Sequence, residues 1–347
     1  MPLRGLDALF APTSLGLLGA EHAPEGVYRI LARNLYHAGF DGPILPVHAR
    51  RRAIEGVLTY PGLEGLPFAP DLAVVMGSDP DAAAELDRLG QAGTRAAIAI
   101  GQSAHGTGKD ASAMRRAAAR NGLRLLGPDS IGVIRANQGI NASVTHVTPN
   151  GGDLALVTQS GAMCTAILDW ATPRGIGFSC VVSLGAMADI DYGDIIDYLG
   201  NDPETRAILL YVESVTEARK FMSAARATAR IKPIVVVKGG RFAEGEQAAG
   251  SHTGALTGAD AVCDAAFRRA GMLRVHDLDE LFDAARTVSA APKVDGDRLA
   301  ILTNGGALGV LATDATAAGG GTVASLSSDT VAALDEVLPP SWSRRNP

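Results

Sequence analysis

The chain predicts an α/β fold built from doubly wound parallel sheets, and three observations carry that prediction. Short apolar runs alternate with stretches of helical periodicity, which is the pattern of strands buried on both faces between layers of helices. The series breaks at a Pro/Gly-rich segment and then starts again. Alanine and glycine are abundant while aromatics make up only 5% of the 347 residues, as tight helix-on-sheet layers require.

The first series opens with the strand-like run Leu15-Gly16-Leu17-Leu18 and helical periodicity from Val27 to Ala38. Ile44-Leu45-Pro46-Val47, Asp71-Leu72-Ala73-Val74-Val75 and Ala96-Ala97-Ile98-Ala99-Ile100 follow as strands, with helices between them. The stretch 146–153, with Pro149, Asn150 and two glycines, reads as a linker. A second series then places strands at 154–158, 179–184, 207–212 and 233–238. The run 291–297 marks another boundary, and Leu299 to Thr303 begins a third strand-helix unit. The expected domains are therefore 1–145, 150–290 and a partial third at 296–347. So short a third stretch cannot close a doubly wound domain, which needs roughly 100 residues, and the chain is expected to be a fragment.

Two segments carry the chemistry. Gly250-Ser251-His252-Thr253-Gly254 follows the strand run Ile234 to Lys238 and sets one imidazole among small residues. Such neighbours leave the ring sterically open, and histidine forms and releases covalent intermediates near neutral pH. A lone histidine is more often structural. The second segment, Val157-Thr158-Gln159-Ser160-Gly161-Ala162, is a strand end running into a helix start, the form of an anion-binding helix N-terminus. A third such turn stands at Asn304-Gly305-Gly306. In the first series, Gly16-Leu17-Leu18-Gly19-Ala20-Glu21 is a glycine turn without the full G-x-G-x-x-G spacing. The second strand exits through Pro46-Val47-His48-Ala49-Arg50, with no acidic residue for a bare ribose.

These segments resemble the NDP-forming acyl-CoA synthetase (succinyl-CoA ligase-like) superfamily over nearly the whole chain. The resemblance implies a Rossmann-like CoA-binding domain followed by a flavodoxin-like ligase domain. It implies phosphorylation of His252, with Glu213 in Leu210-Tyr211-Val212-Glu213-Ser214 hydrogen-bonded to that histidine. Gln159, Ser160 and Gly161 would cradle the phosphate, joined by Asn304, Gly305 and Gly306 at a second helix start. CoA or acyl-CoA would occupy Gly19, Ala20, Glu21, Pro46, Val47, Arg50, Met76, Gly77 and Gln102, with Arg50 facing the phosphorylated ribose. Acyl phosphate would form at the ligase site, pass its phosphoryl group to His252, and exchange with the thioester of CoA. The resemblance further implies that ATP or ADP with Mg²⁺ would enter only through an ATP-grasp region, supplied by missing C-terminal domains or a second subunit.

The start, Arg4 to Phe10, and the end, Trp342 to Pro347, look closest to the ligase-like region of bacterial protein lysine acetyltransferases. That likeness keeps an alternative open, a CoA- or acetyl-CoA-sensing module regulating a fused acetyltransferase. The loops Val75-Met76-Gly77-Ser78 and Gly101-Gln102-Ser103-Ala104 depart from the family's pattern, as does Asp129 where asparagine is typical. A carboxylate there is expected to repel an acyl carboxylate.

A net charge of −6 without a basic run excludes nucleic acid as the expected partner. No apolar run reaches the ~18 residues of a membrane span, and no leader-like start is present, so the expectation is a cytoplasmic enzyme. Cys164, Cys180 and Cys263 lack metal-ligand spacing and read as buried thiols. Asp189, Asp191 and Asp194 read as a turn and helix cap rather than a cation site. No resident metal is expected; a small acyl substrate is, and homo-oligomerisation is left open.

Overall fold

The structure, a computed structural model, describes residues 5–19, 24–101, 108–242, 245, 259–290 and 296–344. Two compact units divide at Ala290/Ala291. In the first unit, α1 (Leu6–Phe10) precedes β1 (Leu15–Leu17), α2 (Glu25–His37) and β2 (Ile44–Pro46). A short antiparallel hairpin, β3 (Ala53–Ile54) with β4 (Val57–Leu58), leads to β5 (Leu72–Met76), α3 (Ala82–Ala92), β6 (Ala96–Ile100), α4 (Gly108–Arg120) and β7 (Arg124–Ser130). These build a five-stranded parallel sheet in the order β2-β1-β5-β6-β7. Every residue of β5 and β6 is buried, because helices cover both faces.

The chain then turns into β8 (Gly132–Arg135) and β9 (Ile140–Ser143), an antiparallel pair that joins the second sheet rather than the first. There follow β10 (Asn150–Thr158), α5 (Gly161–Ala171), β11 (Gly177–Ser183), α6 (Tyr192–Asn201), β12 (Ala207–Val212), α7 (Ala218–Thr228) and β13 (Ile234–Lys238). The unit ends with α8 (Asp260–Ala270), β14 (Leu273–Val275) and α9 (Leu278–Ala290). The sheet order is β14-β13-β12-β10-β11-β8-β9, with its five α/β strands parallel. In each sheet the order reverses beside the first strand, at β1/β5 and at β10/β12, and crevices at such switch points hold ligands. The expected linker 146–153 is thus partly strand, since β10 begins at Asn150.

The two sheets share one apolar core, in which Leu15, Val74 and Ile98 of the first pack in continuity with Val157, Val182 and Leu210 of the second. Phe10 of α1 stacks on Tyr198 of α6 at 4.4 Å between ring centroids. The segment after β11 runs along β7, with Ala186 N–H donating to Pro128 O (2.8 Å), Ala188 N–H to Gly127 O (3.1 Å) and Ile190 N–H to Leu125 O (3.1 Å). Arg135, only 1% exposed, pairs with Asp202 at 3.0 Å and Glu204 at 3.1 Å. The aspartate cluster has a local role: Asp191 and Asp194 form a reciprocal capping box on α6, and Asp189 accepts from Arg124 Nε and Leu125 N–H.

The second unit holds β15 (Arg298–Leu299) parallel to β16 (Thr322–Val323), with α10 (Gly306–Ala318) and α11 (Ser328–Val337). Its apolar side chains stay largely open, Leu302, Leu308, Val310 and Leu311 among them. So small an α/β layer leaves its helix without a full sheet to cover it.

Candidate functional site

The first crevice lies at the carboxyl ends of β1, β2, β5 and β6. Gly19 takes φ +77, and a Cβ placed on it would stand 3.2 Å from the backbone nitrogen of Met76. Gly77 donates to Ile100 O (2.7 Å), and a Cβ there would meet the carbonyl of Gly101 at 2.6 Å. Only glycine fits both positions, so the backbone itself lines this end of the sheet, as close approach of a pyrophosphate needs. Next to it, Val47 N–H donates to Leu17 O (2.8 Å) and fixes the exit of β2. Arg50 is exposed, and its N–H donates to Nδ1 of the buried His48 (3.1 Å). Gly19, Pro46, Val47, Met76 and Gly77 therefore stand at or just past the ends of three neighbouring strands, and the exposed Arg50 follows four residues after Pro46. Ala20, Glu21 and Gln102 lie outside the described residues.

The second crevice sits at the ends of β10 and β12. Gln159 closes it: Oε1 accepts from the N–H groups of Glu213 (3.2 Å) and Ser214 (3.0 Å), while Nε2 donates to Ser214 Oγ (3.0 Å). Ser160 caps α5, its Oγ accepting from Met163 N–H at 3.3 Å. The first turn of that helix carries no acidic residue, so nothing on it cancels the positive end of the helix dipole. Glu213 is 7% exposed. It leaves β12 on the same side as Tyr211, two residues earlier. Burial first, and then the charge and hydrogen bond of Glu213, push the Tyr211 phenol up to about 12. Burial and the same carboxylate hold Tyr192 well above the ordinary tyrosine range, and its hydroxyl donates to Tyr211 O. Lys238, 3% exposed at the end of β13, donates to the carbonyls of Gly239 and Gly240 at 3.0 Å each. Tyr211, Tyr192, Ser214 and Lys238 were not singled out by sequence reasoning. The period-2 spacing of Tyr211 and Glu213 on one strand is the signal that finds the first of them.

The residues that follow β7 pack against the start of α5. A Cβ on Gly161, the first residue of α5, would lie 2.5 Å from Ile131 Cγ2, just past the end of β7. Ile131 N–H donates to Ser183 Oγ (3.2 Å), and Ser130 Oγ to Ser183 O (2.5 Å). Asp129, exposed with φ +62, stands at this seam, in a backbone region that asparagine and aspartate tolerate best. Segment 250–256, and His252 with it, lies outside the described residues. Asn304 is exposed and Gly305 caps α10 by backbone alone, within the second unit.

A CoA-binding layer joined to a ligase-type layer is the class that fold and crevices define. A family described as CoA binding domain matches residues 13–136, and one described as Succinyl-CoA ligase like flavodoxin domain matches 151–288. The acetate–CoA ligase [ADP-forming] I subunit alpha of Pyrococcus furiosus is 38% identical over 89% of this chain and 69% of its own length. The acetate–CoA ligase [ADP-forming] I of Archaeoglobus fulgidus is 35% identical over 99% of this chain, which spans 50% of that protein. The dinucleotide forming acetyl-coenzyme A synthetase 1 of Ca. Korarchaeum cryptofilum, solved with phosphate and ADP, superposes with a TM-score of 0.92. It is 32% identical and covers 99% of this chain, against 75% of its own. This chain belongs to the ADP-forming acetate–CoA ligase family of NDP-forming acyl-CoA synthetases. Among the described residues no helix is long and apolar enough to cross a membrane.

Proposed function

We propose that this chain is the CoA-binding and phosphohistidine portion of an enzyme interconverting acyl-CoA, NDP and phosphate with a free acid, CoA and NTP. Phosphate displaces CoA from the thioester, giving an acyl phosphate and the free thiol. An imidazole nitrogen of His252 then takes the phosphoryl group and releases the carboxylic acid. The phosphoryl group finally passes to an NDP held on an ATP-grasp region, contributed by further chain or a second subunit. Gly19, Met76 and Gly77 would receive the pyrophosphate of CoA, and Arg50 its ribose phosphate. Ser160 and Gly161 would receive the phosphoryl group at the N-terminus of α5. Glu213 would accept the N–H of one ring nitrogen of His252, fixing the tautomer and leaving the other nitrogen as nucleophile.

The observation that carries this reading is Glu213. Gln159 braces its backbone at a switch point, and the cap of α5 is the residue after Gln159. A carboxylate held beside a helix N-terminus is suited to accept an imidazole N–H and so to fix its tautomer. Relatives with ligase names favour small carboxylic acids, acetate first, as the acyl group.

The test is labelling of the 347-residue chain by acetyl phosphate, followed by mass spectrometry at alkaline pH. His252 is expected to carry an acid-labile phosphoryl group, His252→Ala none, and Glu213→Gln is expected to label ~10²-fold more slowly. The alternative, a CoA-sensing module of a lysine acetyltransferase with His252 as a relic, rests on the terminal segments 4–10 and 342–347. CoA binding without any label would favour it over the ligase reading.

A further inference from the structure

We propose that the groove at the amino ends of β10 and β11 binds a small polyanion of the pyrophosphate or nucleoside-polyphosphate class, through the guanidinium groups of Arg174 and Arg286. The groove has a volume of about 1090 Å³ and is formed within the first unit. Pockets that hold small ligands run to roughly 300–1,000 Å³. It opens at the start of β10, whereas Ser160 follows the end of that strand. Roughly 25 Å of extended chain separates the two, so the proposal is independent of the phosphohistidine reading.

The floor of the groove is bare backbone. A Cβ on Gly152 would lie 2.3 Å from the carbonyl carbon of Gly177, and one on Gly177 would lie 2.1 Å from Gly151 O. Only glycine fits where these two strands begin, and the space above them stays free of side chains. The walls are the turn after α5, which carries Arg174, and α9, which carries Asp283 and Arg286. A ring stack clamps the two walls together: Trp170 of α5 lies on Phe282 of α9 with 3.8 Å between centroids and 6° between planes. The same clamp sets Arg174, whose Cζ stands 4.7 Å over the Trp170 ring and whose Nη1 donates to Trp170 O (3.0 Å). Its Nε and Nη2 groups are left for a ligand, and a guanidinium already held in place loses little freedom on binding. Arg286 is exposed one helical turn after Phe282 and pairs with none of the described residues. Two such forks suit the oxygens of a phosphate chain, which they contact bidentately. The local charge agrees in sign. Asp153 is matched by Arg206 at 2.9 Å, so the two arginines outweigh the one open carboxylate, that of Asp283.

The test uses Trp170 as its reporter. The chain has two tryptophans, and Trp342→Phe leaves Trp170, beneath Arg174, as the only one. That chain is titrated with pyrophosphate, and separately with ATP, at fixed ionic strength. Trp170 emission is expected to change saturably, with half-saturation on the order of 1 mM or below. Arg286→Gln and Arg174→Gln should each raise the half-saturation point about 10-fold or more, the loss of charge-assisted hydrogen bonds. Both arginines are exposed, so these variants should keep the fold. Arg286→Lys should recover only part of the loss, because an ammonium lacks the planar fork. Asp283→Asn should lower the half-saturation point several-fold by removing a like charge. Equal responses to pyrophosphate and ATP would place recognition in the phosphates alone, and a tighter response to ATP would assign a nucleotide as the ligand. Neither a saturable emission change nor a heat of binding up to about 10 mM overturns the proposal. A half-saturation point that Arg286→Gln leaves unmoved, or that Asp283→Asn raises, overturns it as well.

Discussion

At Gly19 the backbone sits in the left-handed region, and a Cβ would crowd Met76 at 3.2 Å from its backbone nitrogen. Gly19→Val adds both a conformational strain and a branch in the path of a phosphate. CoA binding by calorimetry is expected to vanish in that variant, while wild type binds CoA and acetyl-CoA in preference to NAD. Binding of CoA by Gly19→Val at wild-type strength would mean that CoA does not bind against Gly19. Asp129 poses the opposite question, because its backbone suits asparagine as well and only the charge differs. It stands beside Ile131, which touches the first residue of α5, where an acyl phosphate would bring negative charge. Asp129→Asn should leave stability within about 0.5 kcal/mol. It should also lower the acetyl phosphate concentration for half-maximal labelling several-fold, and an unchanged or higher value would place the carboxylate outside the acyl path.

The strands were legible because parallel sheets bury both faces, so β5, β6 and β13 stand out as unbroken apolar runs. The hairpin β8–β9 was not, since nothing local tells a strand which of two sheets it will join. The placement of Met76 and Gly77 at the end of β5, beside Gly19 after β1, was legible from the apolar strand runs that precede them. The brace by Gln159 depends on β10 and β12 becoming neighbours, and spacing alone does not give that. The brace has an energetic signature. Gln159→Ala deprives the N–H groups of the buried Glu213 and Ser214 of their acceptor. Each group left unsatisfied costs about 1–3 kcal/mol, so the variant should unfold at clearly lower denaturant and label more slowly. Gln159→Glu restores the acceptor but not the donor to Ser214 Oγ, and should recover part of the stability. A Gln159→Ala midpoint equal to wild type would show that the crevice does not rely on this amide.

Across the molecule, the buried weak acids set how the fold responds to alkali. Burial pushes the thiols of Cys164 and Cys180 up from 9.0 to about 12, against the opposing pull of Thr158 and Arg135 respectively. Burial likewise raises Tyr36, Tyr198 and Tyr211 from 10.0 to about 12, and Tyr192 further. These groups are spread over the shared core: Tyr198 stacks on Phe10 between the two layers, and Cys180 is fully buried on β11. In each case the folded pKa lies above the unfolded one. The unfolded chain therefore releases these protons first, and alkali drives unfolding. Stability from these groups is fully present below about pH 9 and is lost as pH rises through the folded values near 12. Urea midpoints measured from pH 7 upward should stay level with respect to these groups, then fall steadily from about pH 9 to about pH 12. Replacing both buried thiols (Cys164→Ala with Cys180→Ala) costs packing at neutral pH but should flatten the first part of that fall. Midpoints that hold constant from pH 8 to pH 11 would mean that these thiols and phenols ionise in the folded chain as readily as in water.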